Sequence, residues 1–267
     1  MKNILLLVED DAGQEPRLQA ALDLTRLVEG QLTCVDVTIL PPVISGDIPV
    51  SYGTSLLLQD EMLRESANRV RLEQRLAGES VSWDWVDATG HLVDCLAQAA
   101  GLSDVIVVNR RLSGSPALDM RSVASELVIK ADKPILAVPD TLQRMSFDNA
   151  LVLWDGSPCS VTALRAAVPL LKFARRVVLF EAMDGSVRMP SEDGVAYLAR
   201  ENVAAEIRRV RAKRFEASDL VLEEAKTGGH DYVVMGGFGH LRLIEGLFGG
   251  VSRAMLTHSP LPLFMAH

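Results

Sequence analysis

The sequence predicts an α/β protein: two tandem doubly wound domains, each built on a five-stranded parallel sheet. Apolar runs of strand length alternate with longer stretches of helical period along the chain. The order of these patterns occurs twice. Val107-Val108-Asn109 and Val234-Met235-Gly236 each close an apolar run, and each is followed by a polar loop, a short helix and a Pro-led apolar run. Strands that alternate with helices join through right-handed crossovers into parallel sheets. A chain of 267 residues has room for about two domains. They fall at 1–140 and 148–267, with the polar segment Asp140 to Asp148 between them.

Each element has its own reason. Ile4 to Val8 is a continuous apolar run, as expected of a strand buried on both faces. Pro16 to Glu29 carries Leu18, Ala21, Leu22 and Thr25 at helical spacing. Leu32 to Leu40 is rich in β-formers, and Pro41 to Gly53 is broken by Pro and Gly into a loop. Leu56 to Ala77 is a long amphipathic helix, and Val81 to Val86 alternates as a strand, with Trp83 and Trp85 on one face and expected in the core. A helix (Leu92–Ala100), a strand (Val105–Val108), a helix (Ser122–Lys130) and a strand (Ile135–Val138) complete the first half. The second half repeats the order. Ala150 to Trp154 is a strand, and Ser157 is a fitting N-cap before Pro158 for the helix carried by Val161 to Ala174. Strand Val177–Ala182, loop Asp184–Pro190, helix Gly194–Arg200 and strand Ile207–Ala212 follow. Helix Asp219–Ala225, strand Tyr232–Met235, helix Val251–Thr257 and strand Leu263–Ala266 close the chain.

Composition excludes several function classes. The formal net charge of −8 argues against nucleic acid or an anionic membrane as partner, since both demand a basic surface. The basic run Arg200 to Arg214 is expected to be a solvated strand and loop face. Three widely spaced cysteines, Cys34, Cys95 and Cys159, with no CxxC, fit reduced thiols in a cytoplasmic protein rather than disulfides or zinc. No stretch reaches the ~20 apolar residues of a membrane helix. The segment Met1 to Val8 is apolar only briefly and is expected to be the first strand rather than a signal peptide. His91, His230, His258 and His267 lack metal spacing and are expected at the surface or as caps.

Only one copy of the repeat keeps its glycines. After Val234-Met235 the chain runs Gly236-Gly237-Phe238-Gly239, then nine residues, then Gly249-Gly250-Val251-Ser252. A backbone that wraps a phosphate needs glycine, and helix-start N–H groups after Gly249-Gly250 favour an anion. Asp155, after the first strand of this half, offers an acceptor for a ribose hydroxyl or an adenine amine. Ser252 offers a hydroxyl one turn into the helix, and His240 and Arg242 follow the glycine loop. Trp154 is expected to pack beside the pocket. In the first half Glu9 stands opposite Asp155, while Asn109, Leu112 and Arg121 replace the glycines and Ser122 stands opposite Gly250. That site is expected to be closed or repurposed. Neither a Walker loop nor Gly-x-Gly-x-x-Gly is present.

These residues resemble the universal stress protein family. Gly236, Gly239 and Gly249 match its Gly-x2-Gly-x9-Gly pattern, and Asp155-Gly156-Ser157 matches its turn after strand one. Gly250 departs from it, standing where the family often has Ser or Thr. The resemblance is specific in the second half and architectural in the first. It implies the adenine nucleotide alpha hydrolase-like fold and a nucleotide, ATP or a relative, with Mg²⁺ on its phosphates. It also implies a backbone contact to adenine near Ala182 and a regulatory or protective role in stress. It further implies that the last strand of each domain pairs edge to edge, here internally through Ile135–Val138 and Leu263–Ala266; a homodimer of chains stays open. No general base or transition-state arginine is identifiable, so any hydrolysis is expected to be slow. Two readings compete with nucleotide binding: a nucleotide-independent interaction scaffold with a vestigial pocket, and an enzyme on a small anion with His240 as acid–base.

Overall fold

The computed structural model describes residues 1–39, 53–110, 120–211, 216–237 and 250–267, without the side chains of 53–62 and 120–122. The first half contains β1 (Asn3–Val8), α1 (Gln14–Val28), β2 (Gln31–Ile39), α2 (Gly53–Ala77), β3 (Ser82–Gly90), α3 (Leu92–Ala99), β4 (Val105–Asn109), α4 (Met120–Lys130) and β5 (Ile135–Val138). The second contains β6 (Asn149–Leu153), α5 (Pro158–Leu171), β7 (Arg176–Met183), α6 (Ser191–Arg200), β8 (Glu206–Arg211), α7 (Ala217–Thr227), β9 (Tyr232–Gly236), α8 (Gly250–His258) and β10 (Leu263–Ala266). The expected loop Pro41 to Gly53 lies, up to residue 52, outside the described residues.

Among the described residues the strands form one sheet, in the order β3-β2-β1-β4-β5-β10-β9-β6-β7-β8. Each half is a parallel doubly wound sheet, and the halves meet through the antiparallel pair β5–β10. The register shows how closely the halves repeat. Ile4 pairs with Val105 and Leu6 with Val107, while Ala150 pairs with Tyr232 and Val152 with Val234. Position 4 thus corresponds to 150, and 105 to 232. The same correspondence carries Asn3 and Asp104 onto Asn149 and Asp231. In both halves the aspartate oxygen accepts the backbone N–H of the asparagine, at 2.9 and 2.8 Å. It also fits Glu9 to Asp155.

Core residues sort by sheet face rather than by half. Leu6, Val8, Val152 and Phe264 share one face with α1, α2, α5 and α6. Leu5, Leu7, Leu151 and Met265 share the other with α3, α4, α7 and α8. Covering both faces explains why central strands carry continuous apolar runs. Each fully buried leucine contributes roughly 1.5–3 kcal/mol. Trp83 and Trp85 do share one face, but they are half-buried, because β3 is a sheet edge that α2 covers only in part. The Arg69 guanidinium lies 5.1 Å from the Trp85 ring centre.

Candidate functional site

In each half the strand order reverses beside the first strand, between β1 and β4 and between β6 and β9. Ligands of doubly wound sheets bind at the carboxyl ends of strands at such a point. In the second half this place is built by the turn from β6 to α5. Trp154 is buried, and its indole N–H donates to the Met189 carbonyl at 2.9 Å. Asp155 is half-buried; its Oδ1 accepts the Ser157 N–H at 2.9 Å, and its carbonyl accepts the Arg188 N–H at 2.7 Å. Gly156 has φ +66°, and a Cβ there would lie 2.2 Å from the Met189 nitrogen. Ser157 caps α5 by accepting the Ser160 N–H at 3.2 Å, with Pro158 opening the helix. The segment Asp184 to Pro190 is thus strapped over the turn, fixing the backbone that presents Asp155.

Ala182 lies near the end of β7, half-buried, and its carbonyl accepts the Asp184 N–H at 3.0 Å. Gly236 closes β9. The next residue, Gly237, donates its N–H to the Ala266 carbonyl at 2.8 Å and accepts from the His267 ring at 2.9 Å. The same ring nitrogen touches Cys159 Sγ at 3.5 Å. Burial pushes the Cys159 thiol above its ordinary range, and Asp155 adds to this against the pull of Arg188. Gly250 opens α8 with no atom of the described residues within 4 Å of where its Cβ would be, and Ser252 is buried in the first turn. Asp155, Ala182 and Gly236 therefore stand at the carboxyl ends of β6, β7 and β9. Gly239, Gly249, His240 and Arg242 lie outside the described residues.

The equivalent place in the first half is filled. Arg17, fully buried on α1, donates to the Leu7 carbonyl at 2.6 Å, the Asn109 side-chain oxygen at 2.6 Å, the Glu9 carbonyl at 3.0 Å and Asp11 at 3.2 Å. Asn109 in turn donates to the Gly13 carbonyl at 3.1 Å and to Asp140 at 2.8 Å. Burial pulls the Arg17 guanidinium below its ordinary range, and Asp11, Glu9 and Asp140 oppose that pull. Leu112 is not among the described residues, nor are the side chains of Arg121 and Ser122. The sequence pointed to Asn109 but not to Arg17, whose partners come from the ends of β1 and β4. The available signal was an arginine directly beside the apolar stripe of α1.

A family model described as the universal stress protein family matches residues 146–267. This half of the chain belongs to that family. The universal stress protein fold also extends over the other half. A universal stress protein from Archaeoglobus fulgidus DSM 4304 superposes with TM-score 0.75 at 14% identity, over 99% of this chain and 95% of that one. A putative universal stress protein from Pseudomonas aeruginosa UCBPP-PA14 gives 0.54 at 13% identity, over 100% and 93%. A functionally unknown protein from Pseudomonas aeruginosa PAO1 gives 0.57 at 14% identity, over 100% and 92%. At these identities the likeness is one of fold. No curated protein sequence matches the chain.

Within this universal stress protein domain the glycines divide by cause. Gly236 is required by packing: a Cβ there would lie 2.6 Å from the Cys159 carbonyl carbon and from the Ser160 nitrogen. Its counterpart Asn109 carries a side chain because Gly13 makes room, where a Cβ would lie 1.7 Å from Asn109 Nδ2. Each half thus keeps one glycine at the crossing of helix start and strand end, on opposite partners. Gly250 has no such neighbour among the described residues. Other expectations need correction. His230 is buried rather than at the surface, because its Nε2 meets Glu224 Oε1 at 2.9 Å under Arg208. His267 is exposed and contacts Gly237 and Cys159 as described. The basic strand β8 is exposed but paired: Arg208 with Glu224 at 3.0 Å, and Arg209 with Glu192 at 2.6 Å and Glu181 at 3.4 Å. Among the described residues no three His, Cys, Asp or Glu side chains are placed to hold a metal ion, and no helix is long and apolar enough to cross a membrane.

Proposed function

We propose that the crevice at the carboxyl ends of β6, β7 and β9 binds ATP or a related adenine nucleotide, with Mg²⁺ carried on its phosphates. The observation that carries this reading is the contrast between the halves. Arg17 and Asn109, which fill the first crevice, correspond to Ala163 and Gly236 in the second. Membership of residues 146–267 in the universal stress protein family supports the same reading. In it, Asp155 offers its free carboxylate edge to a ribose hydroxyl or the adenine amine, and the backbone near Ala182 lies against adenine. The start of α8 takes the phosphates: helix-start N–H groups and the helix dipole favour an anion there, and Gly250 puts no side chain in its path. Ser252 supplies the hydroxyl that Gly250 lacks, and Gly239 and Gly249 complete the cradle. The first half, 1–140, is a second domain that takes no nucleotide. The chain acts in stress as a regulatory or protective protein, and any hydrolysis is slow.

Calorimetry with MgATP tests this. Gly250→Asp puts a negative charge at the helix start without a clash among the described residues, so affinity should fall roughly tenfold or more with the melting temperature kept. Equal affinities in wild type and variant reject the site. A second reading, a nucleotide-independent scaffold, is favoured by one observation: packing against Cys159 and Ser160 alone accounts for Gly236. Absence of binding at millimolar MgATP by the wild-type protein decides for the scaffold.

A further inference from the structure

The edge of the first half differs from its repeat in the sign of one charge. On β7 and β8, Glu181 is directly opposite Arg209. At the matching register of β2 and β3, Asp36 is directly opposite Asp87. Glu181 is buried and answered by its arginine at 3.4 Å and by the Ser191 hydroxyl. Asp36 is equally buried, 8% exposed, and its carboxyl makes no hydrogen bond among the described residues. The groups that face it are Glu9 after β1, Asp87 on β3, and Glu65 and Arg69 on α2. Arg69 is shared between Glu73 and Asp87, each at 2.8 Å. Glu65 accepts the Thr38 hydroxyl at 2.7 Å, which together with Arg69–Asp87 ties α2 to the sheet edge. A buried carboxylate whose neighbouring charges are mostly other carboxylates favours its neutral form.

We propose that Asp36, Asp87, Glu65 and Glu9 form a proton-operated latch: a proton taken from solvent onto Asp36 lets α2 grip the β2–β3 edge, and its release repels Glu65 and loosens that grip. Burial, reinforced by Glu65, Asp87 and Glu9 against Arg69, pushes the Asp36 carboxyl up to about 7. The latch therefore works across neutral pH. The folded form holds this proton more tightly than the unfolded chain, so stability falls as pH rises from about 4 to about 7 and is level above that. The device lies apart from the second-half crevice and stands whether or not that crevice binds a nucleotide.

The full chain and its Asp36→Asn variant test it. Melting temperature followed from pH 5 to pH 8 should fall in wild type and stay level in the variant, the two converging at pH 5. The protection of α2 residues 63–77 against hydrogen exchange, taken relative to the intrinsic rate at each pH, should fall in wild type between pH 6 and pH 8 and stay unchanged in the variant. Asp87→Asn, which removes one of the repelling charges, should move the wild-type midpoint to lower pH. Parallel pH profiles for wild type and Asp36→Asn, or an α2 exchange rate indifferent to Asp36, would overturn the proposal.

Discussion

Gly236 and Gly13 sit at the same crossing in the two halves, one on the strand and one on the helix start. The sequence invited a phosphate explanation for Gly236, because the residue that excludes a side chain there lies far away in the chain, on α5. Only packing shows it. Adding a methyl group at Gly236 must displace the backbone at Cys159 and Ser160, so Gly236→Ala should cost about 1–3 kcal/mol, read as a lower urea midpoint at unchanged slope. A cost near zero would mean that the crossing is looser than its distances imply. Arg17 makes the opposite case. It is a buried cation with four acceptors, and truncation leaves Asp11 charged and Asn109 short of a donor. Removing one partner of such a buried pair costs about 3–5 kcal/mol, so Arg17→Ala should destabilise the first half by that order in the same urea experiment. A loss below about 1 kcal/mol would show that solvent reaches the Asp11 carboxylate.

Elements were more legible than their surroundings. The runs Ile4 to Val8 and Tyr232 to Met235 are strands because central strands of a covered sheet bury alternate side chains on both faces, which leaves the sequence no polar positions to use. The Ser157-Pro158 start of α5 was legible because cap chemistry is local: the hydroxyl reaches an N–H three residues on. Asp155 follows from the same local logic. Exposure at the edges was less legible. The alternation of β3 reads as a half-buried strand, but how far α2 covers Trp83 and Trp85 depends on the path of a long helix. The burial of His230 is hidden from the sequence for a similar reason, since its partner Glu224 lies on α7, just before the turn into β9.

At the scale of the molecule, the decisive feature is the seam between β5 and β10. Phe264 stands opposite Leu136, with Leu263 on Ala137 and Met265 on Ile135 to either side. Leu136 and Phe264 occupy the same place in their own halves, so the seam has local two-fold symmetry about that pair. The symmetry explains why one ten-stranded sheet forms without either half changing its topology. It also gives each half a four-residue apolar strand, Ile135 to Val138 and Leu263 to Ala266, whose outer edge is paired only by the other. An uncovered edge of that kind is a template for pairing. The fragment 141–267 produced alone should therefore associate as a two-fold dimer through β10, with Phe264 opposite its own copy, while the full chain keeps this edge satisfied within itself. Light scattering during size-exclusion chromatography distinguishes the two cases. A Phe264→Lys change in the fragment should return it to a monomer by placing like charges across the axis. A fragment that is monomeric with Phe264 intact would mean that its exposed edge is protected by something other than pairing, and that the seam holds the halves together without being a dimer interface in waiting.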